Sequence, residues 1–150
     1  MRALLWTGLV VLIIGGGAAL AHTGATGIVK ERMEAMMDVA AGMKAIGAMI
    51  KGETAFDAGA VAETANRLAG HASRMERLFP EGTNAAPSEA RAEIWADWDR
   101  FVGISEQMNA RAMALTKAAA AAKDAQDIRD AFSGLGATCK DCHAAFRQKK

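Results

Sequence analysis

An all-α fold, an antiparallel four-helix bundle, is what this sequence predicts, and three observations predict it. Beyond the first 21 residues the chain is rich in Ala, Met, Lys, Glu and Gln, poor in Val, Thr and aromatics, and has no Tyr at all. Those are residues that suit a helix interior. Apolar and small positions recur at alternating steps of three and four, which places them on one helical stripe. No segment alternates apolar and polar residues with period two, as a half-buried strand would. Four such stripes with mostly short connections make a bundle, and 150 residues make one domain.

The first stretch stands apart. MRALLWTGLVVLIIGGGAALA carries one arginine, then an apolar run, then Ala19-Leu20-Ala21. This is the pattern of an export signal cleaved after Ala21. The competing reading, an uncleaved anchor, has an apolar run near the lower limit for a span, broken by Gly15-Gly16-Gly17. Residues 1–21 are therefore expected to leave, and 22–150 to form the domain, with no stable membrane association afterwards. Removing Arg2 leaves 17 basic and 17 acidic residues. A nucleic-acid partner would call for a basic excess, so none is expected.

The first helix is expected from about Thr26 to Lys51. Val29, Met33, Met36, Ala40, Met43, Gly47 and Ile50 form its stripe, and Gly52 its C-cap. The second runs from about Asp57 to Phe79, with Val61, Thr64, Ala65, Leu68, Ala72, Met75 and Leu78-Phe79 inward. Pro80, Gly82 and Asn84 break it, and Pro80 to Pro87 is a loop. Pro87 and Ser88 read as start signals for the third, which carries Ile94, Trp95, Trp98, Phe101, Val102, Ile104, Met108 and Leu115. Its end in Ala118–Ala122 is helix or frayed connector. The fourth is expected to start near Asp124, with Asp127 in an acidic first turn. Ile128, Phe132, Leu135, Cys139, Cys142 and Phe146 form its stripe. Several inward positions are small (Ala40, Gly47, Ala65, Ala72, Gly136), which leaves room for something other than side chain.

The chemistry lies at the end, in CKDCHAAFRQKK. Cys139 and Cys142 are the chain's only cysteines, and His143 follows directly. C-x-x-C-H is the attachment signature of c-type haem. Thiols at i and i+3 face one way on a helix and reach the two vinyl groups on one porphyrin edge. His143 then offers its imidazole to the iron. The cofactor implied is one haem c per chain, covalent through two thioethers. A zinc site needs four ligands, or three and a water; beyond the motif only His22 and His71 offer nitrogen, besides carboxylates, and a helical C-x-x-C-H is a cramped cage. A thiol-redox C-x-x-C belongs at a helix N-terminus in a βαβ unit, not near the end of a last helix.

At these residues the chain resembles the class II cytochromes c, the cytochrome c prime group and its low-spin relatives. The resemblance covers nearly all of the chain after residue 21. It is strongest in KERMEAMMDVAAGMKAIGAMIKGE, EIWADWDRF and GATCKDCHAAFRQKK. It implies an exported four-helix bundle in the periplasm, with Cys139 and Cys142 binding haem and His143 as axial ligand. The first helix of that family supplies the residue over the opposite face. High-spin members place an apolar or aromatic side chain there and leave the iron five-coordinate; low-spin members place a methionine that ligates it. Registered on GMKAIG, that position is Met36, beside Met33 and Met37.

The expected function is one-electron transport with His143 and Met36 as axial ligands, since His/Met ligation raises the potential and holds the iron low-spin. The alternative is a five-coordinate protein that binds nitric oxide or carbon monoxide. Arg32, one turn before Met36, matches a family arginine at the haem edge and is a candidate for a propionate, against a solvated surface arginine. Arg147, one turn after His143, is a candidate neighbour of the imidazole. Trp95, Trp98 and Phe101 are read as core and haem-pocket packing, His71 as a surface histidine. Lys149 and Lys150 form a basic tail beside the site. A redox partner protein is implied, and a possible homodimer through the first two helices. No acid/base or nucleophile pair suggests an enzyme.

Overall fold

The structure, a computed structural model, describes residues 24–148. The expected export signal 1–21, His22, Lys149 and Lys150 lie outside the described residues. Five helices occur in order: α1 Gly27–Lys51, α2 Ala58–Ala72, α3 Glu93–Ala96, α4 Trp98–Ala121 and α5 Arg129–Phe146, with a 3-10 turn at Glu76–Leu78. There is no strand among the described residues. α3 is a single turn; the other four form the bundle.

The helix ends show local chemistry at work. Gly52 closes α1 at φ 76°, its N–H bonding the carbonyls of Ala48 and Met49. Asp57 caps α2 by accepting from the Ala60 N–H at 3.0 Å. α2 stops at Ala72 rather than continuing to Phe79. Ser73 Oγ and Arg74 Nε both donate to the Gly70 carbonyl there, and the chain tightens into turns and the 3-10 segment.

The third helix does not start near Ser88. Ser88 Oγ instead accepts from the Ala90 N–H (3.1 Å), and the next residues stay extended because they pair with the end of α5. Arg91 N donates to Phe146 O at 3.0 Å and Gln148 N to Glu89 O at 2.8 Å. Helix begins only at Glu93 and breaks at Asp97 (φ −130°, ψ 55°) before α4. The alanine run is helical to Ala121, and Ala119 is buried. Nor does the last helix start at Asp124. Asp127 accepts from the N–H of Lys123 and Asp124, and Asp124 from that of Gln126, so this acidic pair closes a turn ahead of α5.

The core is built from Ile46 of α1, Val61, Ala65 and Leu68 of α2, Phe101, Ala112 and Leu115 of α4, and Ile128 and Leu135 around α5. α1 and α2 touch backbone to side chain at Gly42. A Cβ there would stand 2.9 Å from Thr64 Cγ2 and 3.3 Å from Leu68 Cδ2. The buried stripe of α1 is Arg32, Ala35, Val39, Gly42 and Ile46, one position off the expected one. Methionines and small residues read as core lie beside that stripe, and what they face is a cavity.

Candidate cofactor site

A cavity of about 580 Å³ opens between α1, α4, α5 and the segment Pro87–Ala90. Its size falls within the range of about 300–1,000 Å³ typical of cofactor pockets. α1 supplies Met33, Met36, Ala40 and Met43 of the stripe whose spacing stood out in the sequence to one wall, with Met37 and Arg32 beside them. α5 supplies Gly136, Thr138, Cys139, Cys142, His143, Phe146 and Arg147 to the other. Phe79, Phe101, Ile104 and Met108 complete an apolar lining. The small residues at 40 and 136 do leave space here; Ala65 and Ala72 are packed into the core instead.

Cys139 and Cys142 are free thiols, both half-buried and one α-helical turn apart on the cavity side. Burial pushes both thiols up, Cys142 to about 11, with the Cys139 charge adding to the effect. A redox-active C-x-x-C needs the opposite shift. His143 lies at the rim, and burial followed by the nearby Arg147 guanidinium lowers its pKa against the opposing pull of Glu89. A neutral imidazole is the form that binds a metal.

Arg32 departs from a solvated surface arginine: only 4 % of it is exposed. Nε donates to Leu78 O (2.8 Å), and Nη1 to Thr83 O (3.0 Å) and Ser88 Oγ (2.9 Å). Nη2 donates to Thr83 Oγ1, and the guanidinium lies over the Phe79 ring at 4.1 Å from its centroid. Burial lowers its pKa. One N–H, on Nη2, has no hydrogen-bond partner among the described residues. Arg147 is paired with Glu89 at 2.6 Å and 2.7 Å, so the cavity edge is tied to the end of α5.

Two expectations need correction. His71 is no surface histidine. It is 8 % exposed, with Nε2 2.7 Å from Asp38 Oδ2 and Nδ1 accepting from Arg74 Nη2 at 3.1 Å. Its place three residues after Leu68 on the α2 stripe was the missed signal. Trp95 and Trp98 do pack, half-buried, against the core as expected, but they do not line the large cavity; Phe101 does both. The strap Ser88–Ala90 was missed as a wall of the site. Its pairing partners lie nearly sixty residues away, and no local pattern announces them.

The donor set, the apolar lining and the volume fit a haem. Comparison with known proteins decides the family. The profile of the family described as Cytochrome C' matches residues 27–147. The chain belongs to the cytochrome c' family. A cytochrome c' of Pararhodospirillum photometricum is 36% identical over 121 residues, covering 80% of this chain and 95% of that one. The solved cytochrome c' of Rhodopseudomonas palustris superposes with a TM-score of 0.77 at 28% identity, covering 84% of this chain and 99% of that one. A variant of the Alcaligenes xylosoxidans cytochrome c prime, solved as its nitric oxide complex, has a TM-score of 0.72 at 30% identity and covers 81% and 94%. A further structure is titled a cytochrome c' with ligand-controlled dimer dissociation (TM-score 0.73, 26% identity, 81% and 95%).

Members of the cytochrome c' family are electron-carrying or ligand-binding haem proteins, and they bind covalently attached haem c. This chain has the two cysteines that the thioethers require. The four-helix bundle is shared with its structural neighbours.

Proposed function

We propose that this cytochrome c' family member is a periplasmic, one-electron haem protein, exported by residues 1–21 and built from 22–150. Cys139 and Cys142 form the thioethers, and His143 is the iron's protein ligand. Bound haem supplies a ferric/ferrous couple and a site for diatomic gases; the chain supplies the ligand, the apolar walls and the cations. Arg32, by its one free N–H, serves a haem carboxylate, and Arg147, one turn after His143, stands beside the imidazole. The company of cytochromes c', which are typically five-coordinate, favours an open face that takes nitric oxide or carbon monoxide. The nitric oxide complex of the Alcaligenes xylosoxidans relative supports that reading.

A second reading has its own observation. Met33, Met36 and Met43 all line the α1 wall of the cavity. Met36 as sixth ligand would make the iron low-spin, raise its potential and close it to gases. The test is the visible and near-infrared spectrum of the haem-loaded protein, with and without carbon monoxide, for the parent chain and Met36→Ala. A high-spin spectrum that shifts with carbon monoxide in both proteins carries the open-face reading. A low-spin ferric spectrum with a sulfur-to-iron band that Met36→Ala abolishes carries the other. Dimers known in the family make a homodimer the expected assembly, checked by sedimentation with and without carbon monoxide.

A further inference from the structure

Trp95 and Trp98 line a second cleft, of about 340 Å³, on the outer side of the cavity wall. Its other lining residues are Glu76, Phe79, Pro80 and Glu81. The break at Asp97 and the three-residue spacing bring both indoles to one side. Trp95 is fixed by its Nε1–H, which donates to Phe79 O at 2.9 Å. Glu76 and Glu81 are exposed, and neither side-chain carboxylate has a hydrogen-bond or ion-pair partner among the described residues. Arg77, next to Glu76 in sequence, does not line the cleft. Nearby Arg91 and Arg100 are engaged by Glu93 and Asp97. Aromatic faces beside unpaired carboxylates are the chemistry that takes an organic cation. Phe79 already holds one cation, Arg32, against its ring.

The cleft is also joined to the haem cavity by rings in contact. Trp98 stacks on Phe101 with centroids 5.3 Å apart. Phe101 meets Phe79 at 4.9 Å and Phe146 at 5.6 Å, both edge-on. Phe79, Phe101 and Phe146 all line the large cavity, and Phe79 lines both.

We propose that this cleft is the docking point for a lysine side chain of the redox partner protein, and that it lies at the outer end of an aromatic contact leading to the haem. A free metabolite cation would have no use for that connection; a partner that exchanges electrons does. The ammonium sits against Trp95 and Trp98 between Glu76 and Glu81. With haem bound, the protein would accept the single electron given up by the partner's reduced centre, with no bond made or broken and no proton moved. The electron-exchange part rests on the electron-carrier reading above; the cation-binding part does not.

The test uses the haem-loaded protein, reduced and equilibrated with carbon monoxide, so that either axial arrangement leaves it diamagnetic. The redox-inert cation tris(ethylenediamine)chromium(III) should broaden the Trp95 and Trp98 indole signals, and the exposed double variant Glu76→Gln/Glu81→Gln should abolish the broadening. Stopped-flow electron exchange with a basic mitochondrial cytochrome c should then fall several-fold in that variant at low ionic strength. Exchange with hexacyanoferrate, an anion, should not fall, and Glu106→Gln on the exposed side of α4 should leave both rates unchanged. Absence of broadening in the parent chain overturns the cleft. Broadening without a change in exchange overturns the partner and leaves a small-cation site.

Discussion

Arg32 shows how one residue can settle more than its sequence neighbourhood suggests. It sits on the inner stripe of α1, and its planar fork ties the chain from Leu78 to Ser88 onto that helix. A buried cation is tolerable only when its donors are satisfied, and removal of it strands the acceptors it served. Arg32→Ala should cost about 2–3 kcal/mol of stability, read by denaturant unfolding. Arg32→Lys should recover little, because an ammonium cannot reproduce the fork. Asp38 makes a second residue-scale case. Its hydrogen bond to His71 is the main cause of its lowered pKa, with Arg67 adding to it and desolvation opposing. A depressed carboxylate contributes stability that is present above its ordinary value, 3.8, and lost as pH falls through the lower folded value. Asp38→Asn should therefore flatten the acid limb of the stability curve below that pH. The effect is small, since Asp38 remains 40% exposed and water screens the pair.

At the scale of elements, α1 and α2 can pack closely only because Gly42 lacks a side chain. Gly42→Val should push the helices apart against Thr64 and Leu68 at a cost of about 1–3 kcal/mol, measured by thermal or denaturant unfolding. The ends of these helices were legible where the cap is local: Gly52 and Asp57 act through neighbours within four residues. They were misread where a distant partner intervenes. Ser88 has the chemistry of a helix start, yet Arg32 engages it from α1 and the α5 end pairs with the residues after it. Asp124 and Asp127 do bind backbone N–H groups, but they close a turn one step before the helix.

The whole molecule is organised around a space its side chains do not fill. Walls from α1, α4 and α5 leave about 580 Å³ between them. Covalent haem is expected to supply the missing core, since a ligand that binds only the folded state stabilises it. Cys139→Ser/Cys142→Ser should abolish covalent attachment, seen as loss of the haem mass under denaturing conditions, and lower the melting temperature. The sequence by itself determined the four amphipathic helices, the attachment motif and the presence of a methionine stripe on α1, because helical spacing and covalent chemistry are local properties. Only the tertiary structure decided that this stripe lines the cavity while Arg32, Ala35 and Val39 are buried beside it, and that Ser88–Ala90 becomes a wall. It also turned His71 inward and the two tryptophans out to a separate cleft. Periodicity gives the width of a helix's apolar face, but the neighbouring elements choose which edge of that face meets core and which meets cofactor.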